Sequence, residues 1–154
     1  MEYQVEVGDR PAKITLGIRK HSAAEALPQV IPQTCGAIMQ YMGQSAQQAI
    51  EDAFVAYYNM DMQNLDVEIG FTTTKEMPEK DNIQRGSIPA GKAASVLHVG
   101  PYDGLGAAHD ALHRWMAEKG YESASGYYEL YLNDPQTTPP EALKTEVFTL
   151  LKGN

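Results

Sequence analysis

Repetition restricts the possible folds of this chain more than any other feature: the landmarks of its first half return, in the same order, in its second. The first half reads as strand, His21, helix closing on Met39-Gln40-Tyr41-Met42, strand ending Tyr57-Tyr58-Asn59, connection, and strand with Val67-Glu68-Ile69. The second reads as strand, His98, helix with His113-Arg114-Trp115-Met116, strand ending Tyr131-Leu132-Asn133, connection, and strand with Thr145-Glu146-Val147. In this alignment Tyr41 falls on Trp115, Tyr57 on Tyr131, Glu68 on Glu146 and Val55 on Glu129. Internal repetition of this kind predicts an α+β fold in which two pseudo-twofold-related β-α-β-β repeats share a core, with one antiparallel sheet and helices lining a central groove. The expected layout is a single domain, with repeat one over about 1–74, a connector over about 75–87 and repeat two over about 88–154.

Local periodicity supplies the elements. Alternating residues predict strands over Tyr3–Val7 and Lys13–Arg19, and a strand over Leu65–Thr72 with Leu65, Val67, Ile69 and Phe71 inward. Pro28 and Pro32 suit the first turn of a helix whose stripe Ile31, Cys35, Ile38, Met39 and Met42 is buried. Ala53–Asn59 reads as strand. Thr74–Gln84 reads as a surface loop that resists regular pairing, and Lys92–Val99 as strand. Asp103 is placed to cap a helix whose inner face is Leu105, Ala108, Leu112, Trp115 and Met116, closed by Lys119-Gly120. Tyr127–Asp134 and Lys144–Leu151 complete the set.

The stretch Tyr127-Tyr128-Glu129-Leu130-Tyr131 carries the strongest chemical signal. Alternation puts Tyr127, Glu129 and Tyr131 on one face and Tyr128, Leu130 and Leu132 on the other. An ionised acid among aromatic rings is costly without a donor or a cationic guest, so this face predicts a lined cavity for flat, apolar or cationic molecules. An ordinary strand with aromatic cross-strand pairs is the competing account. Tyr41 and Trp115 are expected to wall the groove, with core packing as the alternative. Tyr57, Glu129 and Tyr131 are expected to floor it, with Glu68 and Glu146 as further candidates for which a water-facing position is the favoured reading.

Charge and composition exclude other classes. Twelve basic against 20 acidic residues give a formal net charge of -8, which repels phosphate backbones and anionic membranes. Direct nucleic-acid binding is not expected. A single cysteine, Cys35, excludes an internal disulfide and a thiol zinc cluster, and its helical apolar setting reads as packing. No apolar run approaches the roughly 18 residues of a membrane span, and no leader is evident at Met1, so a cytoplasmic location is expected. No cofactor fingerprint appears. His109 and His113 stand at i and i+4, as metal ligands can, but without a third ligand they read as a solvated helix edge and no metal is assigned.

Several separated motifs resemble one family. His98-Val99-Gly100-Pro101-Tyr102-Asp103-Gly104-Leu105, Trp115, Tyr128-Glu129-Leu130-Tyr131-Leu132-Asn133-Asp134-Pro135, Pro139-Pro140-Glu141 and Thr145-Glu146-Val147 look like the GyrI-like effector-binding domains, as does Asp66–Phe71 in the first half. The resemblance implies a tandem β-α-β-β fold with a groove for amphipathic or cationic compounds and a strand glutamate near its floor, which maps onto Glu129. It implies a sensor or sequestering module, free-standing or attached to AraC-type or MerR-type regulators, with multidrug-like ligand range and a role in transcription regulation. Two other habits of the family imply alternatives: hydrolysis of electrophilic cyclopropanes, with Glu129, Tyr131 or Glu146 as catalytic candidates, and a protein partner such as a DNA-binding regulator or DNA gyrase. The first half departs from the pattern. It has Ser22-Ala23-Ala24-Glu25 in place of a Gly-Pro-Tyr turn and Val55 in place of Glu129. A ligand is therefore expected to be held mainly from the second half.

Overall fold

The alternating stretches form strands and the 3.6-period stretches form helices, in the chain order β1 (Glu6–Arg10), β2 (Lys13–Ser22), α1 (Leu27–Ala46), β3 (Ile50–Tyr57), β4 (Leu65–Thr73), β5 (Ile83–Ile88), β6 (Gly91–Val99), α2 (Leu105–Lys119), β7 (Ser123–Tyr131) and β8 (Lys144–Leu151). The computed structural model describes residues 3–46, 49–135 and 137–152. Within each unit of the chain the described strand pairings are antiparallel, and the fold is α+β as the repeat predicts. Two compact units result, one from Ala12–Pro89 and one from the segment up to Pro11 together with that from Ala90 onward.

In the first unit the strand order is β3-β4-β2-β5. Its core gathers Leu16 and Ile18 of β2, Phe71 of β4, Ile83 of β5 and Ile38 and Met42 of α1. The buried line of α1 is Thr34, Ile38 and Met42, at i, i+4 and i+8. Met39, expected on that stripe, is 37% exposed instead, because it lies past the edge of the face that the sheet covers. Gly43 kinks the helix at φ 72°, ψ 172°, a conformation open to glycine.

The second unit has the order β1-β6-β8-β7. Leu105, Ala108, Leu112 and Met116 of α2 pack on Ala94, Val96, Val147 and Leu151. The helix closes on Gly120 in the left-handed region (φ 77°, ψ 23°), whose N–H donates to the Met116 carbonyl. At the other end Asp103 does not cap: Gly104 is the N-cap, without a side-chain cap bond, and Asp103 belongs to a single 3₁₀ turn, Tyr102–Gly104.

Two expectations are corrected. The segment read as an unpaired connector contains β5, which pairs with β2 from Lys13↔Ile88 to Ile18↔Ile83. The strand predicted over Tyr3–Val7 is shifted to Glu6–Arg10, where it pairs with β6. Each unit thus carries one edge strand beyond its β-α-β-β set, β5 on β2 and β1 on β6. The repeat extends to its asparagines. Asn59 accepts from the Asp66 N–H and donates to the Asn64 carbonyl; Asn133 accepts from the Lys144 N–H and donates to the Ala142 carbonyl. The same residue closes the same connection twice.

Candidate functional site

The pleat of β7 turns Tyr127, Glu129 and Tyr131 toward α2, and Tyr128 and Leu130 to the opposite face, where Tyr128 stacks on Phe148 at 5.0 Å. Glu129 is 3% exposed. Its two oxygens are held separately: Tyr131 Oη donates to Oε1 at 2.5 Å, and His109 Nε2 on α2 donates to Oε2 at 2.7 Å. Charge-assisted bonds of this kind offset the desolvation of a buried carboxylate.

Aromatic rings surround the pair. Tyr102, from the turn ahead of α2, meets Tyr131 edge to face at 5.3 Å, and His113, one helical turn after His109, stacks on Tyr127 at 4.3 Å with 13° between the rings. Burial, then the negative charges of Asp134 and Glu129, pushes the Tyr102 phenol above its ordinary range, and burial does the same for Tyr127. Burial, then the neighbouring His109, depresses His113, with Asp110 opposing. All three shifts favour the neutral form, so these rings stay uncharged beside the Glu129 carboxylate.

A histidine also seats the helix above the site. His98 is 5% exposed; its Nε2 donates to the Pro101 carbonyl at 2.8 Å, which leaves Nδ1 to accept from Tyr3 Oη at 2.8 Å. Its ring lies directly under Gly104.

The structure brings Tyr127, Glu129 and Tyr131 together and separates others from them. Trp115 lies on the opposite flank of α2, toward β1, where it stacks on Tyr121 at 5.3 Å and lines an open groove of about 440 Å³ with Tyr3, Val5, Asp110, Arg114 and Glu118. The walls of that groove carry exposed charges and no buried acid, so its chemistry is weaker than that of Glu129. Glu146 pairs in register with Leu130, one residue out of phase with Glu129, and so falls on the sheet face away from α2. There Arg10 grips it with two bonds, 2.6 and 2.9 Å. In the first unit Glu68 likewise lies on the face away from α1, accepting from Tyr58 Oη at 2.7 Å, while Tyr57 is on the α1 side. Tyr41 packs against the α1 core, and its hydroxyl donates to the Pro78 carbonyl at 2.8 Å. Val55, the counterpart of Glu129, is fully buried.

Sequence reasoning missed His109, read as a solvated edge, and gave no role to Tyr102. The signal for His109 was available: it stands four residues after Leu105 and three before Leu112, on the shoulder of the buried stripe. Among the described residues no three His, Cys, Asp or Glu side chains are grouped as metal ligands, and no helix is long and apolar enough to cross a membrane.

The chain matches the model of the GyrI-like small molecule binding domain over residues 3–152 and belongs to that family. No curated protein matches it. Among solved structures it is similar to the C-terminal domain of EcmrR, with a TM-score of 0.79 and 23% identity, covering 100% of both chains. EcmrR in complex with DNA gives a TM-score of 0.82 at 23% identity; the match covers 99% of this chain and 58% of that one, so this chain spans little more than half of the EcmrR chain. SAV2435 bound to tetraphenylphosphonium gives 0.67 at 16% identity, covering 99% and 95%. A hydrolase from Listeria innocua gives 0.64 at 15% identity, covering 97% and 92%.

Proposed function

We propose that this domain binds lipophilic cations and acts as a sensor or sequestering module, with Glu129 as the counter-charge and Tyr102, Tyr127 and Tyr131 as the aromatic contacts. One observation carries the reading: a carboxylate 3% exposed, ringed by neutral aromatics, with the apolar Val55 at the equivalent position of the other repeat. Such a group attracts a cation that sheds its water easily and rests against ring faces. The tetraphenylphosphonium seen with SAV2435 has that chemistry and is the natural first probe. Calorimetric titration with tetraphenylphosphonium tests the assignment. Glu129→Gln, which keeps the shape and removes the charge, is expected to weaken binding by about 1 to 3 kcal/mol. Equal affinities of wild type and variant would remove Glu129 from the site.

A hydrolytic reading has one observation in its favour, the Glu129–His109 contact, since a carboxylate beside an imidazole and a phenol can hand protons to and from an attacking water. Glu146 does not serve it, being held by Arg10 on the other face. Incubation with an electrophilic cyclopropane followed by mass detection of the water adduct separates the two readings. An unchanged compound under saturating protein leaves binding alone.

A further inference from the structure

Glu129 has a potential cation beside it already. His109 Nε2 lies 2.7 Å from Oε2, and the imidazole side chain is 19% exposed, enough to exchange a proton with solvent. Imidazole is the side chain whose charge ordinarily changes between about pH 5 and 8. An imidazolium at His109 and a bound lipophilic cation would both draw on the Glu129 carboxylate. In a largely desolvated setting the second positive charge is poorly screened and costs affinity.

The other titratable groups on this side of the unit are phenols, carboxylates, a guanidinium and two imidazoles. From β7 come the phenols of Tyr127 and Tyr131, and from the turn ahead of α2 comes Tyr102; phenols titrate near pH 10. β8 presents Thr145, Val147 and Thr149. Asp103, Asp110 and Asp134 carry carboxylates and Arg114 on α2 a guanidinium, side-chain types whose ordinary titration lies outside that window. His113 is stacked on Tyr127 and held toward the neutral form, and both ring nitrogens of His98 on β6 are engaged by Tyr3 and Pro101.

We infer that His109 is a proton-operated specificity residue: protonated, it serves Glu129 as an internal counter-cation, and a cationic ligand binds as that proton leaves for solvent. This deepens the cation reading above and depends on it. A permanently charged ligand should therefore bind more tightly as pH rises and release up to one proton on binding.

The test is calorimetry of the full chain with tetraphenylphosphonium between pH 5.5 and 8, a range above ordinary carboxylate titration. Wild type is expected to tighten about tenfold across the range. At pH 6 its heat of binding is expected to depend on the ionisation enthalpy of the buffer, which reports proton release. His109→Gln places an amide N–H near the former Nε2 but cannot titrate; it is expected to bind with less than about twofold pH dependence and no buffer effect. A wild-type slope retained in His109→Gln overturns the role of His109. Wild-type binding without pH dependence overturns it too, while leaving the Glu129 reading in place. Absence of binding at every pH removes both. Should the variant fail to fold, NMR titration of the His109 ring in wild type decides: saturation with tetraphenylphosphonium must shift its midpoint downward, and an unmoved midpoint overturns the inference.

Discussion

A Cβ added at Gly104 would lie 2.8 Å from Cε1 of His98, closer than such atoms ever approach. The His98 ring cannot swing aside cheaply, because each of its nitrogens is engaged, one by Tyr3 Oη and one by the Pro101 carbonyl. Gly104 has φ -88°, which any residue adopts, so space and not backbone conformation demands glycine here. The contact seats the first turn of α2 and, through the helix, the approach of His109 to Glu129.

Gly104→Ala is accordingly expected to destabilise the protein by about 1 to 3 kcal/mol, the usual cost of overpacking. Urea denaturation of Gly104→Ala, His98→Ala and the double variant checks the cause. In the His98→Ala background the alanine at 104 should cost much less, because the ring it strikes is gone. Full additivity of the two substitutions would mean that the penalty arises elsewhere.

His113 gives a pH-dependent prediction. Its pKa is lowered in the fold by burial and then by His109, and its Nε2 is buried with no hydrogen-bond partner among the described residues. The unfolded chain therefore takes up a proton at this residue near pH 6.5 that the folded chain resists. Its contribution to stability is complete above about pH 6.5 and is lost as pH falls toward the depressed folded value. His113→Phe keeps a ring against Tyr127 and cannot titrate. It should match or slightly exceed wild type at pH 7.5, and the gain should grow toward pH 5. Thermal or urea unfolding at both pH values measures it; parallel pH profiles for the two proteins would count against the assignment.

Much of this molecule is legible in the chain because two periods, 2 and 3.6, are written plainly in β4, β7 and α2. The pairing partners are not written that way. Alternation states which face of a strand is apolar and says nothing about which neighbour it meets, so the pairing of β1 with β6 is not readable from it. β5 was hidden for a different reason. Its two buried residues, Ile83 and Ile88, are five positions apart and fall on opposite faces, so Ile-Gln-Arg-Gly-Ser-Ile shows no alternation, and its strand form is supplied by β2. The site was half visible. Tyr127, Glu129 and Tyr131 followed from one strand's pleat, whereas His109 required knowing which shoulder of α2 faces β7. Glu68 and Glu146, aligned with each other by the repeat and entertained as further floor residues, lie on the sheet faces away from the helices, in keeping with the water-facing reading of each.

The two arginines on the outer sheet faces allow a comparison in which burial alone should set the outcome. Arg10 holds both oxygens of Glu146 and lies 3.9 Å over the Phe148 ring, and both charged side chains are 23% exposed. Arg19 makes a similar fork with Asp66, 2.6 and 2.7 Å, and lies 4.0 Å over the Tyr58 ring, but it is 53% exposed. Geometry is therefore nearly constant while solvent screening differs. Arg10→Ala should cost about 2 kcal/mol, since it strips a partly buried carboxylate of its donors and uncovers Phe148 on β8. Arg19→Ala should cost less than about 1 kcal/mol and lose most of that effect in high salt. The hydrogen bond from Arg19 holds the Asp66 carboxyl below its usual range, opposed by desolvation and aided by the charges of Arg19 and His21. Its share of stability is present above about pH 4 and disappears as pH falls through the lowered value, so the difference between wild type and Asp66→Asn should close in acid. Urea unfolding of these variants at low and high salt, with wild type and Asp66→Asn also compared at neutral pH and in acid, measures all three effects. Equal costs for Arg10→Ala and Arg19→Ala would show that the fork itself, and not its burial, sets the energy.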